Sequence, residues 1–260
     1  MTDKKAYNPK GRCVVFNEAR HEYKVAGKKL TSATTMLGEF FPKFDADKIA
    51  YFVARREGKT KEEVLKEWDD KRIEACDFGN AVHLYAEMKL MGGVVPRPNS
   101  NREKTAFRLV EKFIEGLLKE YVVVEAEKIV FSESHGISGT IDLVLQHRKS
   151  KKICLLDWKT NKKIEKRNQY SKPAYPPIED LNDANYTKYA LQLNLYKYIM
   201  ESEGYVDEID EMILLHIRPR STKAYYVEDH QREIENILQY RLDKKEENQY
   251  NKGMNGEEIC

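Results

Sequence analysis

Residues 139–145 read GTIDLVL and residues 153–160 read ICLLDWKT, with a short basic stretch between them. Two apolar runs of this length joined by a polar turn specify a β-hairpin buried on both faces. Asp142, Asp157 and Lys159 interrupt it. Asp157 and Lys159 stand two apart, so both side chains leave one face, roughly 7 Å apart along the strand. A turn centred on Lys149 and Ser150 sets a register in which Asp142 falls opposite Asp157 on that face. Like charges placed opposite each other destabilise a sheet, and a carboxylate in an apolar hairpin is costly unless compensated. A divalent cation would compensate it. Mg²⁺ favours a few carboxylates plus waters and phosphate oxygens, activates water and stabilises a leaving oxygen. Lys159 beside it could orient or deprotonate that water. The plainer reading is that Asp142 ends a turn while Asp157 and Lys159 form an ion pair at a strand end.

The flanking pattern alternates between extended and helical. Residues 13–17 and 22–25 read as short strands around a polar turn, with Thr31 and Ser32 capping a helix after them. Helices are expected over 40–58, 61–72, 77–91 and 102–120, the third stopped by Gly92 and Gly93. Strands follow at 121–125, 128–131, 139–146 and 152–160. Residues 161–183 hold Pro173, Pro176 and Pro177 and are long for an idle connection, which points to a mobile functional segment. A helix over 185–201, a strand over 211–217 and an amphipathic helix over 229–242 complete the order. The expected architecture is α/β, a small mixed central sheet flanked by helices, with a helical N-terminal half. Residues 1–242 make one domain, mainly helical through 120 and with the chemistry in 121–242. The polar stretch 243–260 has frayed or disordered structure as its default.

Composition narrows the function classes. A length of 260 residues suits one generous domain, and 41% hydrophobic residues can build its core. No run of eighteen apolar residues occurs, so no membrane span is expected. Residues 1–11 carry neither an apolar stretch nor an Arg/Ser-rich amphipathic pattern, which fits the cytoplasm of a bacterial or phage-infected cell. Cys13, Cys76, Cys154 and Cys260 lie far apart without a C-x-x-C pair, supporting neither a zinc knuckle nor a disulfide scaffold. The net charge of +2 conceals segregation. Residues 148–172 hold ten Lys and Arg against Asp157 and Glu165, whereas 173–260 hold ten against eighteen acidic residues. A basic stripe beside an acidic tail fits a polyanion partner, with a solvated face as the alternative.

Two helices add candidate residues. In GNAVHLYAE, residues 79–87, His83 and Glu87 share a helical face with Gly79, which permits close approach. A partly buried structural histidine is the other reading, and the absence of H-E-x-x-H excludes a zincin. Over 185–201, Lys188, Gln192 and Tyr196 fall at i, i+4 and i+8, a polar and aromatic stripe that could instead face solvent. In order, G-x-x-x-H-x-x-x-E from Gly79, G-T-I-D ending at Asp142, D-W-K from Asp157 and Q-x-x-x-Y from Gln192 resemble the RecB-like branch of the PD-(D/E)XK nucleases. These motifs span somewhat under half the chain. The earlier helices and TSATT at 31–35 are similar to mitochondrial genome maintenance exonucleases and their phage relatives.

The resemblance implies a restriction-endonuclease-like core and a metal-dependent DNA exonuclease preferring single strands or ends, in replication, repair or recombination. Asp142, Asp157 and the Trp158 carbonyl would hold Mg²⁺, with Mn²⁺ as substitute, and His83 would complete the shell. Lys159 would serve the attacking water. Glu87, Gln192 and Tyr196 would support the site, as would Glu127 on the preceding strand, with Glu125 as its rival. Lys162, Lys163 and Lys188 would meet DNA phosphates. Tyr170, Tyr175, Tyr186 and Tyr189 would stack bases or pack in the core. Only Cys260 lies late in the chain, so no iron–sulfur cluster is expected. No G-x-x-x-x-G-K-[ST] occurs, so a helicase or recombination partner would be a separate protein. Ile141 stands where the first motif carries proline. A structure-selective or restriction-type endonuclease and a non-catalytic nucleic-acid-binding module are the alternatives.

Overall fold

The chain begins with short strands, two of them at the positions expected from the sequence. In this computed structural model, which describes residues 3–168, 170 and 172–254, β1 (Lys4–Tyr7), β2 (Cys13–Asn17), β3 (Glu22–Val25) and β4 (Lys28–Ser32) form an antiparallel meander. Ala26 and Gly27, both at positive φ, make a two-residue turn between the paired Val25 and Lys28. Val14, Phe16, Tyr23, Val25 and Leu30 bury one face of the meander. β2 and β3 are the two short strands expected from the sequence, whereas β1 and β4 are too short and too polar to show an alternating pattern.

Helices follow. The Ser32 hydroxyl caps α1 (Ala33–Gly38), accepting from the Thr35 N–H at 3.3 Å. α2 (Ala46–Glu57) starts later than position 40, because Pro42 disfavours helix at Phe41 and Asp45 caps the Lys48 N–H at 3.0 Å. α3 (Lys61–Met91) is one helix where two were expected. Its start is a Thr60–Glu63 capping box, residues 73–76 contain no Gly or Pro to interrupt it, and left-handed Gly92 ends it. α4 (Asn101–Glu120) leads directly into the sheet.

β5 (Tyr121–Ser132) is a single strand that pairs antiparallel along all of β6 (Ile137–His147), and β7 (Ile153–Lys159) completes the expected hairpin. After residues 161–183 and α5 (Asn185–Ser202), β8 (Glu211–Ile217) joins β7 in parallel, and β9 (Thr222–Tyr226) pairs back on β8. α6 (Gln231–Met254) runs on through 243–254, correcting the expected end near 242. Residues 255–260, including Cys260, lie outside the described residues.

The nine strands form one mixed sheet, larger than expected because the meander joins it. β5 occupies one edge of β6. Along the other, β4 pairs in parallel with Ile137 and Ser138, and β7 pairs with residues 143–146. Residues 139–142 thus face a fork between β4 and β7. α1, α5 and α6 cover one face of the sheet, against Val144, Leu155 and Leu214. α3 and α4 cover the other, against Leu143, Leu156, Trp158 and Leu215. Among the described residues, no helix is long and apolar enough to cross a membrane.

Candidate active site

Strand alternation slips where the carboxylates collect. In β6, Ile137, Ile141 and Val144 pack on the α5 face, whereas Leu143 and Leu145 pack toward α3 and α4. The two-residue period therefore shifts by one at Asp142. In β5, Val130 packs on the α5 face but Ala126 on the other, and the shift falls at Glu127, whose φ is 50°. Left-handed backbone at a glutamate costs on the order of 1 kcal/mol or more. Pairing of Ala126 with Leu143 and of Lys128 with Ile141 brackets Glu127 against Asp142. The rival Glu125 is exposed and bound to Lys128.

β7 supplies the other charges. Leu143 stands opposite Leu156, the register read from the turn, but regular pairing stops there; the Trp158 N–H donates to Asp142 Oδ2 at 2.8 Å. The buried Trp158 indole meets the Phe113 ring edge-on at 5.8 Å, which anchors this backbone. The Lys159 ammonium pairs with the buried Asp157 Oδ2 at 2.6 Å. Burial pushes the Asp157 carboxyl up to about 6, with Lys159 opposing and Asp142 adding to the rise. For Lys159, burial pulls down, but Asp157 and Asp142 outweigh it and hold the ammonium above the ordinary lysine value. The Tyr189 ring lies 4.6 Å from Lys159 Nζ, which assigns this tyrosine to the lysine's surroundings rather than to a free stacking face.

α3 brings the imidazole. A Cβ on Gly79 would stand 3.3 Å from Thr160 Oγ1, so glycine lets the helix approach the end of β7. One turn on, His83 Nε2 donates to the Trp158 carbonyl at 3.1 Å, and Nδ1 faces Asp142 Oδ2 at 3.5 Å. Donor atoms of His83, Glu127 and Asp142 all lie within 4.8 Å of one another. Trp158 contributes its carbonyl to His83 in this arrangement.

From α5, Gln192 Nε2 donates to the Tyr196 hydroxyl at 3.1 Å, and the buried Tyr196 ring lies against Gly139. Lys188, by contrast, pairs with Asp183 at 2.8 Å and sits over Phe41, outside the cleft lining. Tyr186 is buried in the core. Lys162 and Lys163 are exposed just beyond β7 but do not line the cleft either. The basic stripe divides. Lys149 and Lys151 occupy the hairpin tip, about six residues and roughly 20 Å from Asp157 along β7, because an extended strand separates them. At that tip Arg148 donates to the Leu118 carbonyl and Lys152 pairs with Asp210.

The resulting cleft, about 720 Å³, is lined by Glu87, Glu127, Asp142, His83, Gln192 and Tyr196, with Phe16, His21 and Tyr23 of the meander along one side. Those meander residues were not legible as site residues. Tyr23 is tied in by a 2.8 Å hydrogen bond between its hydroxyl and that of Thr140. Burial pushes the Glu127 carboxyl up to about 8, with Asp142 and Glu87 adding to the rise. The crowded Glu127 and Asp142 carboxylates and the facing His83 imidazole fit a divalent cation. Both acids are raised above their unfolded values. They therefore stabilise the metal-free fold fully below about pH 4, and that contribution is lost as pH rises through 6 to 8. We expect the melting temperature in EDTA to fall by roughly 5 °C between pH 5 and pH 8, and the fall to shrink with Mg²⁺. A metal-independent profile would count against the cation.

A profile of the PD-(D/E)XK nuclease superfamily matches residues 44–254, leaving the meander outside the match. Among solved structures, a crystal structure of SSO0001 is similar at 13% identity over 82% of this chain and 73% of that one, with a TM-score of 0.33. No curated protein matches. The matched stretch contains the forked strands, the helical histidine and the charged hairpin end, and over that length the chain belongs to the PD-(D/E)XK nuclease superfamily.

Proposed function

We propose that the chain is a Mg²⁺-dependent DNA exonuclease of the RecB-like branch, acting on single strands or free ends. The observation that carries this reading is the convergence of His83, Glu127 and Asp142 at the fork, with Asp157 and Lys159 directly behind. Asp142, Glu127 and His83 would hold the ion, assisted by Asp157, and oxygen-rich donors favour Mg²⁺ with Mn²⁺ as substitute. Bound there, such an ion supplies Lewis-acid polarisation of the phosphodiester and a more acidic water. Lys159, kept charged by Asp157 and Asp142, orients the attacking water or donates to a phosphoryl oxygen; in this state it is not a free base. Asp157 holds that ammonium in place. Gln192 and Tyr196 brace β6 at Gly139, and Glu87 adds negative charge.

An acidic cleft repels phosphodiesters until cations screen it, which supports metal-dependent turnover. Residues 1–242 with the remainder of α6 would act as one domain, in replication, repair or recombination. The test is incubation with end-labelled linear single-stranded DNA and with a circular single strand, each in Mg²⁺, Mn²⁺ and EDTA. Metal-dependent loss of the linear strand alone is the expected result. A cut circle would replace the exonuclease with an endonuclease, and no cleavage in either metal would leave a binding module.

A further inference from the structure

A second concavity of about 490 Å³ lies between the end of α1, the 161–183 segment and α6. At its wall, Arg241 Nη1 donates to Glu39 Oε2 at 2.9 Å, while Arg241 Nε is buried with no hydrogen-bond partner among the described residues. A buried donor left unmet costs about 1–3 kcal/mol, and a guanidinium fork suits a phosphate. Lys244 and Lys245 line the same concavity, so three cations face the single carboxylate of Glu39. Aromatic surface is present as well. Tyr175 is 48% exposed and is held to the stretch just after α1 by its N–H, which donates to the Phe40 carbonyl at 2.7 Å. Lys244 Nζ lies 4.5 Å from the centroid of the Tyr240 ring. The segment that ends at Tyr175 leaves β7 through the exposed Lys162, Lys163, Lys166, Arg167 and Lys172. Cationic side chains thus continue along the chain from the candidate active site to this concavity.

We propose that this surface is an accessory site for a nucleic-acid single strand, taking phosphate on Arg241 and Lys244 and stacking a base on Tyr175. Basic side chains interleaved with exposed aromatics bind single strands without sequence preference. The inference rests on the nucleic-acid reading of the cleft and adds a hold on strand that is not being cut. Long strands should gain from it and short ones should not.

The test compares the full chain with its Lys244→Glu/Lys245→Glu and Tyr175→Ala variants, all altered at exposed positions. Binding is measured with Mg²⁺, every protein carrying Asp157→Asn to suppress cleavage, to single-stranded DNA of about 4 and about 20 nucleotides, lengths that bracket known site sizes, over a series of salt concentrations. Both variants should weaken the longer strand about tenfold and the shorter less than about twofold. The charge reversal should also lower the slope of log affinity against log salt by roughly 0.7 for each phosphate that is no longer neutralised, whereas Tyr175→Ala should leave the slope unchanged. Equal weakening of both lengths, or unchanged binding of the longer strand, overturns the accessory site. Deoxyadenosine monophosphate that binds the wild type but not the variants, with long-strand binding unaffected, would make the surface a free-nucleotide site and overturn the strand proposal. A wild type that binds neither strand would bring down the reading of the cleft as well; wild-type binding with unresponsive variants would bring down only the accessory site.

Discussion

Asp157→Asn is expected to lower metal-dependent cleavage by about 10³-fold while the protein remains folded and binds DNA within a few-fold of wild type. The amide keeps the shape of a side chain enclosed between β7 and α5 but removes the charge that holds Lys159 2.6 Å away. It also removes a buried carboxylate that repels Asp142, so the melting temperature in EDTA at neutral pH should not fall. Activity and stability then move separately, as they would for a site residue and not for a core residue. Single-turnover rates with thermal melts of the same samples check both halves. Wild-type turnover in Asp157→Asn would remove Asp157 from the chemistry.

A second large effect is expected from one methyl group. A Cβ on Gly139 would fall 2.5 Å from Tyr196 Cε1, 2.8 Å from its hydroxyl and 3.0 Å from Cζ. The ring is buried and its hydroxyl is held by Gln192, so displacing it costs packing and that hydrogen bond. Overpacking of this kind costs about 3 kcal/mol, or on the order of 5–10 °C in melting temperature for a chain of this size. Gly139→Ala should show that loss, and Tyr196→Leu in the same chain should recover part of it. Gly79→Ala is the control: its nearest neighbour is the Thr160 hydroxyl at 3.3 Å, the end of a small side chain, and its effect should be much smaller. Equal melting of Gly139→Ala and wild type would mean that Tyr196 does not brace β6.

Much of the hairpin was legible because burial on both faces makes its charged residues conspicuous. The register that pairs Leu143 with Leu156 is the one implied by a turn at Lys149 and Ser150. Gly79 and His83 were readable from helical spacing, although what the glycine approaches, Thr160, was not. Tyr189 lies three residues before Gln192 and seven before Tyr196, a helical spacing that could have placed it near Lys159. The position of Glu127 depends on a left-handed residue within β5 that no periodic pattern reports, because the pairing with β6 keeps one register on both sides of it. The meander contributes Phe16, His21 and Tyr23 through a pairing of only two residues between β4 and β6, an approach distant in sequence and without a local signal. The basic stripe is one run in the sequence but two places in the fold, for a geometric reason. Charges adjacent in sequence but on either side of β7 are carried to opposite ends of an extended strand. The C-terminal helix was undercounted because its polar residues still favour helix, and nothing between 243 and 252 interrupts it.

A divalent cation is proposed to bind at the fork between β4 and β7. Calorimetric titration of Mn²⁺ into the wild type and Asp142→Asn at pH 7, in two buffers of different ionisation enthalpy, tests it most directly. Glu127 is pushed up to about 8 by burial and by its acidic neighbours, so it carries a proton at pH 7 that a bound ion would displace. Saturable binding by the wild type with release of roughly one proton is expected, with loss of both in Asp142→Asn. Absence of saturable binding, or the same binding and proton count in Asp142→Asn, would contradict it.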